Sequence, residues 1–220
     1  MSIAANIQKI RAELPESVIL VAVSKTRTVE EIQEAYDAGH RVFGENRVQE
    51  LIAKAAILPS DIQWHLIGHL QSNKVKSLLP FVRLIHSVDS LKLLAVIDRE
   101  AAKQNKIVSC LLQFHIATEE TKFGLNIREA LELLGSHDFS LMKNIRLKGV
   151  MGMASFSQDT NQVRNEFRSL SQIYQQLKQE FFSGDGGFSV LSMGMSSDYL
   201  LAVEEGSNMV RIGTNIFGER

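Results

Sequence analysis

The sequence predicts a closed (β/α)8 TIM barrel preceded by one extra N-terminal helix. Three observations carry that prediction. Short apolar runs rich in Val and Ile alternate with amphipathic stretches, the pattern of strands buried on both faces and separated by helices. The alternation repeats eight times within 220 residues, the count of a barrel near the lower size limit of that fold. No G-x-G-x-x-G follows the first strand and no P-loop occurs, so the usual nucleotide signatures of the rival, an open doubly wound sheet, are missing.

Each element has its own signal. Ile3, Ile7, Ile10 and Leu14 recur at helical spacing and form the extra helix. The apolar run Val18–Val23 is the first strand. Thr28 and Glu31 make a capping box that opens a helix ending at Gly39. His40–Phe43 is a second strand, followed by a helix from about Asn46 to Leu58. Ile62–Ile67 is a third strand with a helix over Gln71–Leu79, and Phe81–His86 a fourth. Asp89 or Ser90 caps a long helix to about Asn105. Ile107–His115 is the fifth strand, and Asn126 with Glu129 opens a helix closed by Gly135. Ile145–Met151 is the sixth strand, then a helix over Thr160–Phe182. Phe188–Met193 is the seventh, and Ser196 or Ser197 caps a helix ending at Gly206. Asn208–Ile212 is the eighth. No linker or low-complexity stretch interrupts the run, so residues 1–220 read as one domain.

Composition narrows the function. The chain is 45% hydrophobic with three prolines, which fits a well-cored protein. A net charge of −1 with Lys and Arg dispersed lacks the basic stripe of a nucleic-acid groove. Cys110 is the single cysteine, so no intramolecular disulfide forms, and it falls in an apolar run as a small core residue. No segment has the length of a membrane span or the apolar stretch of a signal peptide. A monomer in the reducing cytoplasm, with no membrane or nucleic-acid partner, is the expectation.

A barrel gathers the C-terminal ends of its strands on one face, where the chemistry of this fold sits. Lys25, just past the first strand, lies there beside apolar walls that can lower an amine's pKa, and such an amine can form a Schiff base. The loops after strands seven and eight are the customary phosphate cradle. Here they supply the hydroxyls of Ser196, Ser197 and Thr214 and the backbone N–H groups of Gly213 and Thr214. In a closed barrel strand one neighbours strand eight. An aldehyde carrying a phosphate across a small ring would join the two sites, and pyridoxal 5′-phosphate is such a molecule. Phosphosugar enzymes also place a lysine and a phosphate site on one rim, so the layout leaves both classes open.

Six blocks resolve that choice. Val23-Ser-Lys-Thr26, Phe43-Gly-Glu-Asn46 with Val48-Gln-Glu50, Trp64-His-Leu-Ile-Gly-His-Leu-Gln-Ser-Asn-Lys74, His86-Ser-Val-Asp89, Ser192-Met-Gly-Met-Ser196 and Met209-Val-Arg-Ile-Gly-Thr214 closely resemble the pyridoxal-phosphate homeostasis family. Its members look like the N-terminal barrel of alanine racemase standing alone, the fold-type III barrel. The resemblance covers nearly the whole chain. It implies that Lys25 carries pyridoxal phosphate as a Schiff base, with Asn46 and Met195 near the ring and Arg211 toward the pyridine nitrogen. Ser196, Gly213 and Thr214 would hold the phosphate. This chain departs from common family residues at Arg27, Thr28, Arg47 and Leu66, positions that touch the mouth of the pocket. The implied function is storage, buffering or delivery of the cofactor with little or no turnover. The alternative is an amino-acid racemase or a related enzyme. Partners would be client enzymes that use the cofactor, or a regulatory protein.

Two features favour a carrier over a racemase. An arginine at the pyridine nitrogen disfavours a proton there and makes the ring a poorer electron sink than a carboxylate would. Racemisation in the larger relatives uses a second base from a C-terminal β domain, and this chain ends soon after its eighth strand. Other candidates read as structural. His65 and His69 have helical metal-pair spacing but straddle a strand end with no glutamate between. Glu119 and Glu120 read as loop surface, Lys74 and Lys76 as a solvated helix face. Met151 and Met153 read as core or as a cofactor wall, and Lys122 as a surface lysine or a second amine.

Overall fold

The computed structural model describes residues 2–118 and 123–219. Helix α1 (Ile3–Glu13) is capped by the Ser2 hydroxyl and precedes β1 (Ile19–Val23). Then come α2 (Val29–Asp37), β2 (Val42–Glu45), α3 (Val48–Ala55) and β3 (Gln63–Leu66). A 3-10 turn over Ser72–Lys74 leads into α4 (Val75–Leu78), followed by β4 (Val82–Val88), α5 (Leu91–Lys103) and β5 (Val108–His115). The chain continues with α6 (Ile127–Leu134), α7 (His137–Ser140), β6 (Ile145–Met153), α8 (Thr160–Phe181) and β7 (Val190–Ser192). It closes with α9 (Tyr199–Glu204), β8 (Met209–Ile212) and α10 (Thr214–Phe217).

All eight strands are parallel, each beside its predecessor, and β8 closes on β1 from Ile19↔Met209 to Ala22↔Ile212. Strand alternation then sorts side chains into two layers. Ala22, Phe43, Trp64, Ile85, Val210 and Ile212 face the helices and join the large outer core. Val21, Leu84, Leu111, Met151 and Met209 fill the barrel. Cys110 lies in the outer core, fully buried, where burial pushes its thiol pKa up. Among the described residues no helix is long and apolar enough to cross a membrane.

The capping boxes at Thr28/Glu31 and Asn126/Glu129 form as the sequence indicates, and Ser90 caps α5. Several boundaries differ, and α7 is a helical turn with no counterpart among the expected elements. The helix expected from Asn46 begins at Val48, which leaves Asn46 on the barrel rim. The helix expected over Gln71–Leu79 is divided, because Ser72 and Asn73 are poor helix formers and give a 3-10 turn. Neither Ser196 nor Ser197 caps α9. Asp198 takes the N-cap position without a side-chain cap bond, its carboxylate accepting from Met195 N–H, while the Ser196 hydroxyl oxygen accepts from Gly213 N–H.

Candidate functional site

Lys25 sits on a tight loop, half-buried, one residue beyond the buried Ser24. The loop closes when Arg27 N–H donates to Ser24 O at 3.0 Å. Thr26 takes φ +65°, a left-handed conformation that a β-branched residue rarely adopts. Polar groups outside the barrel wall hold it there. Thr26 N–H donates to Glu50 Oε1 at 2.6 Å. Lys54 Nζ, rising from α3, donates to Ser24 O at 2.8 Å, Glu45 Oε1 at 2.7 Å and Glu50 Oε1 at 2.9 Å. The Ser24 hydroxyl donates to the same Glu45 oxygen at 2.7 Å. Burial pushes the Glu45 carboxyl pKa up, and the hydrogen bonds from Lys54 and Ser24 oppose that shift. Both neighbours of Lys25 are therefore tied to one cluster beneath the loop.

Across the rim, β7 leaves the barrel through Gly194 at φ +95°. A Cβ there would lie 2.7 Å from Ala202 Cβ and 2.9 Å from Tyr199 Cα, so only glycine makes the turn. The turn delivers Met195, whose N–H donates to Asp198 Oδ1 at 2.6 Å, and Ser196, whose hydroxyl oxygen accepts from Gly213 N–H at 3.2 Å. Asn215 Nδ2 donates to Ser196 O at 2.9 Å. The ends of β7 and β8 are thereby stitched together beside β1. Asn46 is seated differently: a Cβ on Gly68 would fall 2.4 Å from Asn46 O, so the loop after β3 packs directly on the Asn46 backbone.

Arg211 points into the barrel from β8 and is 4% exposed. Its Nη1 donates to Ser192 Oγ at 2.7 Å and its Nη2 to Gly152 O at 2.9 Å. Burial pulls its pKa down to about 10 while Asp198 pulls the other way. At that value the guanidinium stays cationic at neutral pH.

All seven sequence-predicted site residues, Lys25, Asn46, Met195, Ser196, Arg211, Gly213 and Thr214, line one cavity of about 460 Å³. That volume suits a small-molecule site. Val23, Ile67, Met153, Phe156, Ser197 and Asn215 complete the lining. Among the described residues that line it, Lys25 and Arg211 are the only ionisable ones. The chemistry of this set fits a phosphorylated aromatic aldehyde. It offers an amine, apolar walls for a ring, one buried cation, and hydroxyl and N–H donors at the strand-seven and strand-eight ends for an anion.

The remaining candidates separate. Met153 reaches the cavity, whereas Met151 is buried in the barrel interior. His65 turns inward to His86, while His69 approaches Asp89 at 3.5 Å and stacks on Phe123. Glu119, Glu120 and Lys122 lie outside the described residues. Sequence reasoning missed Phe156, Ile67 and Asn215 in the lining, and the Glu45–Lys54–Glu50 cluster below it. For Lys54 a signal existed: it shares the buried face of α3 with Val48 and Leu51, where a lysine needs a partner.

Comparison with known proteins gives the family and the fold. The family model for the alanine racemase N-terminal domain matches residues 1–220. The pyridoxal phosphate homeostasis protein of Aquifex aeolicus is 40% identical over 203 residues, 91% of this chain and 86% of that protein. The solved structure of PipY from Synechococcus elongatus with PLP bound superposes with a TM-score of 0.88 at 37% identity, covering 99% of this chain and 100% of that one. An alanine racemase from Clostridium difficile shares the fold at 15% identity with a TM-score of 0.78, over all of this chain and 57% of its own.

Proposed function

This chain belongs to the pyridoxal phosphate homeostasis protein family, built on the alanine racemase N-terminal domain, and we propose that it binds pyridoxal 5′-phosphate in the cavity between Lys25 and Thr214 to buffer or deliver it. The observation that carries the reading is that all seven sequence-predicted residues, an amine and the hydroxyl and N–H donors for an anion among them, line one cavity.

The cofactor would supply an electrophilic aldehyde and a ring that can accept electrons. The protein's own groups then have distinct tasks. Lys25 is the amine that would hold the aldehyde covalently, aimed by a loop whose flanking residues are tied to Glu45, Lys54 and Glu50. Ser196, Gly213 and Thr214 would hold the phosphate, with Asn46 and Met195 against the ring. Arg211 keeps its proton and would donate toward the pyridine nitrogen, which would leave the ring less able to take up negative charge. No second base lines the cavity among the described residues, which supports holding rather than turnover. As part of the same proposal the protein acts as a single domain and a monomer in the cytoplasm, passing cofactor to client enzymes or reporting its occupancy to a regulatory partner.

Titrating the cofactor-free protein with pyridoxal phosphate tests this directly. A saturable absorbance band that sodium borohydride bleaches is the expected result. Free-cofactor spectra throughout the titration would overturn the reading, as would robust racemisation of L- or D-amino acids above the rate with free cofactor.

A further inference from the structure

Arg211 is held from behind by a line of buried polar groups that crosses the barrel core. Beyond Ser192, the Ser192 Oγ lies 3.3 Å from His86 Nδ1, and His86 Nε2 lies 3.0 Å from His65 Nδ1. Ser192 and His86 are fully buried and His65 is 4% exposed. The four groups come from β8, β7, β4 and β3, all on the inward face, among apolar residues such as Leu84 and Met209. His65 also lines a second cavity, with Arg83 and Lys148, where Gln63, Ser109 and Ser189 mark the strands' N-terminal ends. The line thus connects the cofactor cavity with the opposite face of the barrel.

Its proton arrangement is set by one residue. An arginine can only donate, so Ser192 Oγ accepts from it. Among the described residues His86 Nδ1 is the one acceptor within reach of the serine hydrogen, so that hydrogen is used only if Ser192 donates to His86. His86 therefore carries its proton on Nε2 and donates it to His65 Nδ1, which puts the His65 proton on Nε2 as well. A protonated His86 would turn an N–H toward the serine hydrogen and leave that hydrogen without its acceptor. Burial acts in the same direction, taking the His65 pKa down to about 3 and the His86 pKa well below its usual value.

We propose that Ser192, His86 and His65 are positioning residues for Arg211, forming one polarised hydrogen-bond line that makes Ser192 an obligate acceptor and so fixes which guanidinium N–H groups face the cavity. Two imidazoles inside an apolar core are an expensive way to fill volume. A line with a single proton arrangement gives them a purpose that leucine could not serve. The arrangement is a property of the cofactor-free protein, whereas its consequence for the cofactor rests on the function proposed above.

The ring-nitrogen 15N spectrum of the cofactor-free protein tests the line first. It should show His65 and His86 neutral, each with Nε2 protonated and Nδ1 bare; an Nδ1-protonated, cationic or mixed state of either ring overturns it. Two variants then separate positioning from packing. His86→Phe fills the same space but offers no acceptor, and should weaken pyridoxal phosphate binding about five- to tenfold. His86→Asn returns an acceptor near the Nδ1 position and should recover most of that loss, although its cavity makes it the less stable variant. Affinity that follows stability instead, or a His86→Phe protein that binds like wild type, refutes the proposal. Wild-type protein that fails to bind the cofactor would refute the proposed function, while the 15N spectrum still decides the proton arrangement.

Discussion

Lys54 Nζ lies 2.7 Å from Glu45 Oε1, and both side chains are buried beneath the loop that carries Lys25. The pair belongs to a wider cluster. Glu45 also accepts from the Ser24 hydroxyl, and Lys54 also reaches Ser24 O and Glu50, the carboxylate that receives Thr26 N–H. Lys54→Met should cost about 3–5 kcal/mol, because it leaves the Glu45 carboxylate buried without its cation. Adding Glu45→Gln should restore part of that loss. Urea unfolding of the single and double variants measures both, and a Lys54→Met protein as stable as wild type would show that the pair is energetically silent.

Attachment of the cofactor should map to Lys25 alone. Its position on the cavity wall and the constrained Thr26 beside it single it out. Borohydride reduction of the loaded protein followed by peptide mass mapping should place the adduct on Lys25. Lys25→Ala should lose the reducible band while keeping the wild-type circular dichroism spectrum. An adduct mainly on another lysine, Lys122 included, overturns the assignment.

Thr214 should distinguish phosphorylated from unphosphorylated ligand. It starts α10 beside Gly213, on the cavity wall facing Ser196. Losing one hydroxyl hydrogen bond to a charged group costs about 1.5–3 kcal/mol, at least tenfold in affinity. Thr214→Val should therefore weaken pyridoxal phosphate binding by about that factor and barely change pyridoxal binding. Equal losses for the two ligands would move the phosphate elsewhere.

Stability should fall on mild acidification. Burial holds His40 neutral down to about 4 and His65 down to about 3, and lowers His86 well below its ordinary value. In the unfolded chain each takes up a proton near pH 6.5. Below that pH the unfolded state binds more protons than the folded one, so stability is complete above about pH 6.5. It declines as pH drops toward 4 for His40 and toward 3 for His65. Each histidine contributes up to about 1.4 kcal/mol per pH unit within its window. Glu45, whose pKa is raised by burial, works in the opposite sense over the range just above its unfolded value. Urea midpoints measured from pH 7.5 to 5 should decrease, and His40→Gln should flatten the slope by about one proton. A level profile would show that these rings are protonated in the folded protein.

Much of this molecule is legible in its amino-acid order. Alternating apolar runs and capped helices set the barrel, and a closed parallel barrel brings every strand C-terminus to one face. Lys25, Asn46, Met195, Ser196, Arg211, Gly213 and Thr214 therefore share a rim, because topology alone puts them there. Chain-distant pairings were decided only by the tertiary structure. Ser196 resembles a helix cap in sequence, yet its hydroxyl serves Gly213, 17 residues away, and Asp198 takes its place. Lys54 on an apolar helix face needs a partner, but only strand register shows that the partners are Glu45 and the Lys25 loop. The register shift between Trp64 and His65 sits where β3 brings His65 against His86. Period and propensity act within a few residues, whereas a buried hydrogen bond depends on the register of strands far apart in the chain.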